Sequence, residues 1–348
     1  MNTSADVFVN PSFAPQTGAP LSTDGSRLRR FYISSLDGGY DRVLQSGFDY
    51  LGESGAIGRQ DRVVIKPNLT FPTFQPGVMT NPQALEALVR YVKEFTDRIT
   101  ICEADSGGYN RFSMTEVFRV TGIDEMARRL GVRLVNLSDE PARSIPVRAG
   151  KRLLQVPVPT LLLDETDLFI SLPVPKVHLN TINSLAIKNQ WGTIKLPENR
   201  LQLHPYFKEV VYALNKIYVR SIGIVDGKYG LTRTGPLRGD VLNLNWMSLC
   251  DDLFLSDLIV TQLQGFQPGD IEYLRWALQK ERLSCSTEFC CNVEWRDFRQ
   301  TPFFLQRKWT DYPGLMAFRS RFLAHVAYRS ILSKPLHWLL YRFREPFY

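Results

Sequence analysis

The chain has 348 residues, and its hydrophobic fraction of 44% and charged fraction of 22% are typical of a soluble globular protein. Its formal net charge is +7, but residues 301–348 hold eight Lys or Arg against two acids, so nearly all of the surplus lies in the C-terminal tail. Because a nucleic-acid-binding body needs a basic face of its own, we do not expect nucleic acid as a partner. Five unevenly spaced cysteines match neither a disulfide framework nor a compact metal site, which predicts a reducing cytoplasm.

The N-terminal residues 1–29 are rich in Pro, Ser, Thr and Gly, and we expect this segment to be disordered. It has neither the basic start nor the apolar core of a secretory signal. No uninterrupted apolar run in the sequence approaches the ~20 residues that a membrane-spanning helix needs. These features predict a cytoplasmic protein, for which association with a membrane surface stays open.

Apolar runs and amphipathic segments alternate through the rest of the chain. Short apolar runs predict strands over 62–68, 98–104, 132–137, 167–174 and 221–227, and a hairpin over 142–163. Apolar stripes predict helices over 80–95, 113–131, 206–219 and 251–266, and residues 181–191 are also predicted to be helical. This alternation predicts an α/β domain over 30–285, with a mainly parallel sheet and helices on both faces. Residues 286–348 form a predicted C-terminal extension, which we expect to be helical.

Polar residues occur where four of the five predicted strands end. They are Lys66 and Asn68 after the first strand, Glu103, Ser106 and Gly107 after the second, Lys176, His178 and Thr181 after the fourth, and Asp226 after the fifth. Because ligands collect beyond the carboxyl ends of parallel strands, we expect these side chains to line one cleft. The glycines within residues 105–110 match neither the dinucleotide-binding nor the P-loop spacing, so a simple turn stays open there.

Three lysines of this cleft, Lys66, Lys176 and Lys188, would repel one another unless an anion lay between them. A ligand that carries a carboxylate or phosphate group is therefore predicted. In the alternative, Lys66 and Lys188 pair with Glu103 and Asp226 inside the fold.

His178 and His204 are the histidines outside the tail, and they are the candidates for imidazole chemistry. A divalent metal held by histidines and carboxylates stays open, although the sequence contains no compact ligand motif. Asp257 lies among apolar residues of the predicted 251–266 helix, and a buried carboxylate at this position needs a partner.

Several stretches resemble those of domain of unknown function family 362, in the same order, over roughly residues 30–275. They are VVIKPNLT, TNPQALEALVRYVKE, CEADSGGYNRFSMTEVFRVTGI, LFISLPVPKVHLNTINSLAIKNQWG, IVDGKYGLTRTGPLRGD and DDLFLSDLIVTQLQGFQPGDI. The resemblance implies an α/β fold and no particular reaction. It also implies a polar site of Lys66, Asn68, Glu103, Lys176, His178, Lys188, Asn189, Asp226 and Asp257.

The chain departs from this family pattern in two respects. Val174 occupies a position where many members carry a lysine. Many members also carry a ferredoxin-like cysteine cluster, which this chain lacks, so we expect no iron–sulfur cluster of its own. A fainter likeness to the lactate-racemase group, in which a Lys and His site acts on 2-hydroxy acids, is an analogy.

The C-terminal residues 303–348 mix aromatic side chains with arginines at close spacing. Basic amphipathic segments that contain Trp and Phe can lie in an anionic membrane interface. The alternatives are helices that pack on the body, on another subunit or on another protein partner, and nucleic-acid binding by this tail.

These observations predict an enzyme that acts on a small anionic metabolite bearing a carboxylate or phosphate. Lys176 and Lys188 would hold the anion, His178 would serve as acid or base, and Glu103 or Asp226 would orient these groups or a metal. The other expected ligand-binding residues are Lys66, Asn68, Ser106, Gly107, Thr181, Asn189 and Asp257. Two alternatives stay open: a binding protein that uses residues 303–348, and an oxidoreductase accessory protein. The sequence identifies no cofactor.

Overall fold

A computed structural model of the chain describes residues 28–53, 56–106, 112–299 and 302–343. Its strands are β1 (Arg30–Ser35), β2 (Val63–Pro67), β3 (Ile99–Glu103), β4 (Arg133–Asn136), β5 (Ala142–Ala149), β6 (Arg152–Pro159), β7 (Leu168–Leu172), β8 (Lys176–His178), β9 (Ile182–Ser184), β10 (Ser221–Thr232), β11 (Asp240–Cys250) and β12 (Cys290–Cys291). Its α-helices are α1 (Gly39–Leu51), α2 (Pro82–Lys93), α3 (Met114–Val120), α4 (Ile123–Leu130), α5 (Thr160–Asp164), α6 (Ala186–Asn189), α7 (Pro197–Leu203), α8 (Phe207–Asn215), α9 (Leu253–Leu263), α10 (Glu272–Glu281), α11 (Tyr312–Ala317), α12 (Arg321–Tyr328) and α13 (Ser333–Leu340). Residues 1–27, most of the segment predicted to be disordered, lie outside the described residues.

One large sheet organises the fold, with the main strand order β12-β1-β11-β10-β7-β2-β3-β4. Neighbouring strands from β10 to β4 are parallel, whereas β11 pairs antiparallel with both β10 and β1. The short strands β8 and β9 form a hairpin that joins this sheet beside β10, and β5 and β6 form a separate two-stranded sheet. The predicted α/β fold with a mainly parallel sheet is confirmed.

The two faces of the sheet are covered by different helices. Val63 and Ile65 of β2 point into a cluster that contains the apolar residues of α1, α2, α3 and α4. Val64, between them, points into the opposite cluster, which α5, α8, α9 and α10 help to build. Because both faces of the central strands are buried, these strands read as continuous apolar runs in the sequence.

Residues 181–191 do not form the single helix that the sequence predicts. Ile182–Ser184 is strand β9, paired antiparallel with β8, and only Ala186–Asn189 is α-helical. Ile182 has a φ of 67°, which no helix accommodates, and Asn183 Nδ2 donates to Thr261 Oγ1 at 2.8 Å. Tertiary contacts with α9 thus override the local helical pattern, and the helix prediction is wrong for residues 181–185.

The chain after α10 continues to contact the α/β body. Strand β12 pairs with β1, and Phe303 belongs to one of the two apolar clusters. Arg307 Nε donates to Leu179 O at 2.9 Å, which ties the chain before α11 to the loop between β8 and β9. Within the described ranges, no helix combines the length and apolar character that crossing a bilayer demands.

Candidate functional site

A cavity of about 360 Å³ lies at the carboxyl ends of β2 and β3. Its lining includes eight residues that the sequence assigns to the site: Lys66, Asn68, Glu103, Ser106, Lys176, His178, Lys188 and Asn189. Further polar residues line it as well, among them Asp105, Asn180, Arg200, His204 and Asp311. Segments more than a hundred residues apart therefore share one polar cavity, as expected from their positions after the strands.

A buried ion pair lies at this cavity. Lys66 Nζ donates to Glu103 Oε2 at 2.7 Å, and the two side chains are 1% and 4% exposed. Lys66 Nζ also donates to Asn189 Oδ1 and to the carbonyl of Pro67, each at 3.2 Å. Since an ammonium group has three protons, Lys66 has no further donor to offer a ligand.

The segment that carries Lys188 is packed tightly against this ion pair. Asn189 Nδ2 donates to Lys66 O at 3.0 Å, so the amide contacts both the backbone and the ammonium of one lysine. At Gly192, an added Cβ would come within 2.8 Å of Glu103 Oε1 and 2.9 Å of Lys66 Nζ. Asn189 and Gly192 thus have structural roles, which leaves Lys188 as the candidate for chemistry in this segment.

Asp257 of α9 anchors the same segment from the other side. Its Oδ1 accepts from Ala186 N at 2.8 Å and its Oδ2 accepts from Ile187 N at 3.0 Å, at the start of α6. Burial raises the pKa of Asp257 to about 8. Asp257 does not line the cavity, so its place in the site is to position Lys188 through the backbone.

Replacing Asp257 with alanine should lower the free energy of unfolding by about 3 kcal/mol or more, because two buried N–H groups would lose their acceptor. Asp252, whose side chain is 18% exposed and pairs with Arg29, caps the start of the same helix, and Asp252→Ala should cost about 1–2 kcal/mol. Urea unfolding of both variants measures the difference. If both variants lose the same free energy of unfolding, the two hydrogen bonds from α6 give Asp257 no special role in stability.

Lys176 is almost fully buried at the edge of the cavity. Its Nζ donates to Asn68 Oδ1 and, at 2.7 Å, to Val78 O, so its contacts within the protein are with neutral oxygens. Burial, and then repulsion by Lys188, lowers the pKa of Lys176 from 10.5 to about 7. The protonated form therefore lacks the counter-charge that a buried ammonium needs.

The positive charge of Lys188 has even fewer partners within the protein than that of Lys176. In the described part of the chain it forms no ion pair and no hydrogen bond, and its Nζ lies 5.8 Å from the centroid of the Phe207 ring. Burial, and then the charge of Lys66, lowers the pKa of Lys188 to about 7. Of the two internal pairings considered from the sequence, Lys66 with Glu103 forms and Lys188 with Asp226 does not.

Asn180 connects the two histidines of the cavity. Its backbone N–H donates to His178 Nδ1 at 3.1 Å, and its Nδ2 lies 3.3 Å from His204 Nδ1. Burial, and then the charge of Lys188, lowers the pKa of His178 well below its usual value and that of His204 to about 3. Because Nδ1 of the neutral His178 ring accepts a hydrogen bond, its hydrogen is on Nε2, which makes Nε2 a donor.

Arg200 of α7 is a cationic residue of the cavity that the sequence analysis missed. Its guanidinium donates to Asp105 O and forms no ion pair among the described residues. Burial lowers the pKa of Arg200 to about 10, so the group stays charged at neutral pH. No strand precedes Arg200, and a lone arginine in a helix gives no signal that could have identified it.

The remaining predicted residues lie outside the cavity lining or outside the described residues. Asp226 is buried at the start of α2, where it accepts from Tyr40 Oη at 3.0 Å and from Asn81 N at 2.8 Å. Thr181 donates to a backbone carbonyl within β9. Gly107 lies outside the described residues. Asp226 and Thr181 thus stabilise the scaffold around the cavity and do not face it.

The C-terminal helices complete the cavity with an apolar wall. Residues of α11, α12 and α13 and the turns beside them line it, among them Leu315, Phe318, Tyr328, Leu340 and Tyr341, and the polar Asp311 and His337 lie beside these. The Phe318 ring packs on His204, with 4.2 Å between the ring centroids. The cavity therefore has a cationic part, formed at the strands, and an apolar part, formed by the C-terminal extension.

Metal ligands are not clustered in the described part of the chain. There, no group of three or more His, Cys, Asp and Glu side chains has the arrangement that could hold a metal ion. The carboxylate of Glu103 is engaged by Lys66, and the histidines are linked by Asn180. Basic side chains, Lys66, Lys176, Lys188 and Arg200, line the same cavity, and side chains of this kind bind anions.

Fold and site together define an α/β protein with a buried, lysine-rich cavity at the carboxyl ends of its parallel strands. Residues 63–262, more than half of the chain, match the family model of a domain of unknown function (DUF362). The chain belongs to this family. The apolar wall at residues 315–341 lies beyond the matched region.

Among solved structures, the chain is similar to the lactate racemase apoprotein from Thermoanaerobacterium thermosaccharolyticum, with 14% identity, a TM-score of 0.39 and coverage of 57% of this chain. It is also similar to a structural-genomics protein from Thermotoga maritima, with 15% identity, a TM-score of 0.39 and coverage of 72% of this chain. The chain spans 50% of the length of the first protein and 61% of the second. A comparison with curated proteins finds no match.

Proposed function

We propose that the chain is an enzyme that acts on a small anionic metabolite, whose carboxylate or phosphate group binds among Lys176, Lys188 and Arg200. One observation carries this proposal: four basic side chains line one cavity, and within the described residues only Lys66 forms an ion pair. Burying the other three charges costs free energy, of which the nearby carboxylates Glu103 and Asp105 recover only a part. A bound anion would recover it through charge-assisted hydrogen bonds.

The roles within this site follow from the hydrogen bonds already made. Arg200 keeps its charge and has donors to spare, so it binds the anion together with Lys176. Lys188 has no internal partner and a pKa of about 7, so it can give or take a proton near neutral pH. His178 donates a hydrogen bond from Nε2 to the ligand, a role that differs from the acid or base expected from the sequence.

The apolar wall indicates what else the ligand carries. Leu315, Phe318 and Leu340 line the cavity beside the cationic part, and none of them offers a polar side-chain atom. A ligand that fills the cavity would therefore join an anionic group to an apolar or aromatic portion.

The anion proposal is tested with phenylacetate and its uncharged counterpart phenylacetamide, which have nearly the same shape. Phenylacetate should raise the melting midpoint of the full-length chain at about pH 6, and phenylacetamide should not. The stabilisation should be smaller at about pH 9 than at about pH 6. Lys176 and Lys188 have pKa values of about 7 and therefore lose their protons between these two pH values. Equal stabilisation by the acid and the amide would contradict an anion site.

Enzymatic activity requires a second measurement. Native mass spectrometry of freshly purified protein would identify a copurified ligand, which is then released and incubated in D₂O with fresh protein. Proton transfer by Lys188 predicts deuterium incorporation or a new product with the wild-type chain and neither with Lys188→Met. If the ligand stays unchanged with both proteins, the chain binds the ligand without converting it, and the alternative function, that of a binding protein, would hold.

A further inference from the structure

The C-terminal helices expose an unusual amount of apolar surface. Of the eighteen large apolar side chains that are exposed in the described residues, twelve lie between Phe304 and Phe343. Ile331 is 94% exposed, Phe322 72% and Trp338 62%. Monomeric proteins rarely leave such side chains together in water, so a concentration of this kind indicates a surface that is covered by something.

Within α13, the exposed residues are on the side of the helix that faces away from the cavity. His337, Leu340 and Tyr341 line the cavity and follow one another at helical spacing. Trp338 and Leu339 lie on the other side of the same helix and are more than half exposed. The exposed face, defined here by Trp309, Met316, Phe322, Ile331, Leu332, Trp338, Leu339 and Phe343, is therefore separate from the cavity wall.

Basic side chains are interleaved with this exposed face. Arg319, Arg321, Arg329, Lys334 and Arg342 belong to the same segment, and the guanidinium of Arg342 lies 4.6 Å from the centroid of the Trp338 ring. Between residues 312 and 343 the sequence contains no acidic residue. The partner that covers this face must therefore offer an apolar region to the aromatic and aliphatic side chains and negative charges to the basic ones.

We propose that the exposed face of α11, α12 and α13 docks on the surface of a membrane that contains anionic lipid. Aromatic and aliphatic side chains enter the boundary between headgroups and acyl chains, and the arginines and lysine contact the lipid phosphates. No helix in the described residues is long and apolar enough to cross a bilayer, and in this mode of binding α11, α12 and α13 lie on the membrane surface.

A bilayer fits this face better than a second copy of the chain. Two copies of a face that carries five basic residues and no acid would bring like charges together, whereas anionic lipid neutralises them. Trp, Tyr and Phe beside Arg are also the side chains that prefer the interface of a membrane.

The experiment is co-sedimentation of the full-length chain with vesicles. The wild-type chain should sediment with vesicles of phosphatidylcholine and phosphatidylglycerol and remain in solution with pure phosphatidylcholine vesicles. Phe322→Ser, Ile331→Ser and Trp338→Ser, combined in one variant, should abolish binding. The matched control combines Val120→Ser, Leu153→Ser and Val293→Ser, which are exposed apolar residues elsewhere on the protein, and it should bind like the wild type.

The contribution of charge is tested separately. Arg321→Gln and Lys334→Gln should each weaken binding to the anionic vesicles about fivefold, as expected for one basic side chain at an anionic membrane surface. Equal sedimentation of the wild type and the apolar triple variant would overturn the proposal. The proposal would also be overturned if light scattering showed that the wild type is a dimer and that the apolar triple variant is a monomer. The exposed face would then bind a second copy of the chain.

Discussion

Replacing Glu103 with glutamine is expected to lower the free energy of unfolding by about 3–5 kcal/mol, the range for breaking a buried ion pair by removing one partner. Glu103 is the carboxylate that Lys66 contacts, and both side chains are almost fully buried. Glutamine keeps the size of the side chain and removes its charge. Lys66 would then stay charged and buried beside two further lysines of the same cavity.

An exposed pair of the same protein provides the matched control. Arg143 and Asp164 form a salt bridge at 2.9 Å, with side chains that are 59% and 49% exposed. Asp164→Asn should therefore cost less than about 1 kcal/mol. Urea unfolding of both variants gives the two values, and similar losses would contradict a special role for the Glu103 pair.

The double variant Lys66→Met and Glu103→Gln separates charge from packing. If the loss in Glu103→Gln comes from the uncompensated lysine, removing this lysine should restore most of the stability. If the loss comes from the backbone N–H groups of Leu69 and Ala104 that Glu103 also binds, the double variant should be as unstable as the single one.

The central strands could be predicted from the sequence because burial on both faces leaves a clear pattern. β2, β3 and β7 are short apolar runs, and the sequence predicts each of them within one or two residues of its bounds. The antiparallel strands β1 and β11 were not expected. β11 contains Asn243 and Asn245 among its apolar residues, and its pairing with β1 joins segments about two hundred residues apart. Local patterns do not encode such a contact.

Helix α1 is a different kind of omission, because its signal is present in the sequence. Tyr40, Val43, Leu44, Phe48 and Leu51 have helical spacing and are all buried. An amphipathic helix could have been predicted over this segment on the same grounds as α2.

The cavity was predictable where its residues follow strands and unpredictable elsewhere. Lys66 and Glu103 end β2 and β3, so the topology brings them to the same edge. Arg200 and His204 come from a helix and the turn after it, whose positions depend on packing. Asp257 shows that residue type alone does not identify a site residue. Its buried carboxylate accepts hydrogen bonds from two backbone N–H groups of α6 and does not line the cavity.

Replacing Lys188 with methionine is expected to weaken ligand binding in the cavity without harming the fold. Lys188 has no internal ion pair in the described residues, so its removal breaks no salt bridge. Losing one charge-assisted contact should weaken the binding of phenylacetate by about tenfold to a hundredfold. Isothermal calorimetry at about pH 6 measures this change. Lys151→Met, in the exposed turn between β5 and β6, is the control and should bind like the wild type.

The same variant makes a second, opposite prediction for stability. The pKa of Lys188 falls from 10.5 to about 7 on folding, so the unfolded chain binds more protons between these values. Wild-type stability without ligand should therefore rise with pH across this window, and the charged lysine should be most costly below pH 7. Lys188→Met should raise the unfolding midpoint at about pH 6 and reduce the rise toward about pH 9. A midpoint that falls at pH 6 would mean that Lys188 stabilises the fold, and the cavity would then have no uncompensated charge there for an anion to neutralise.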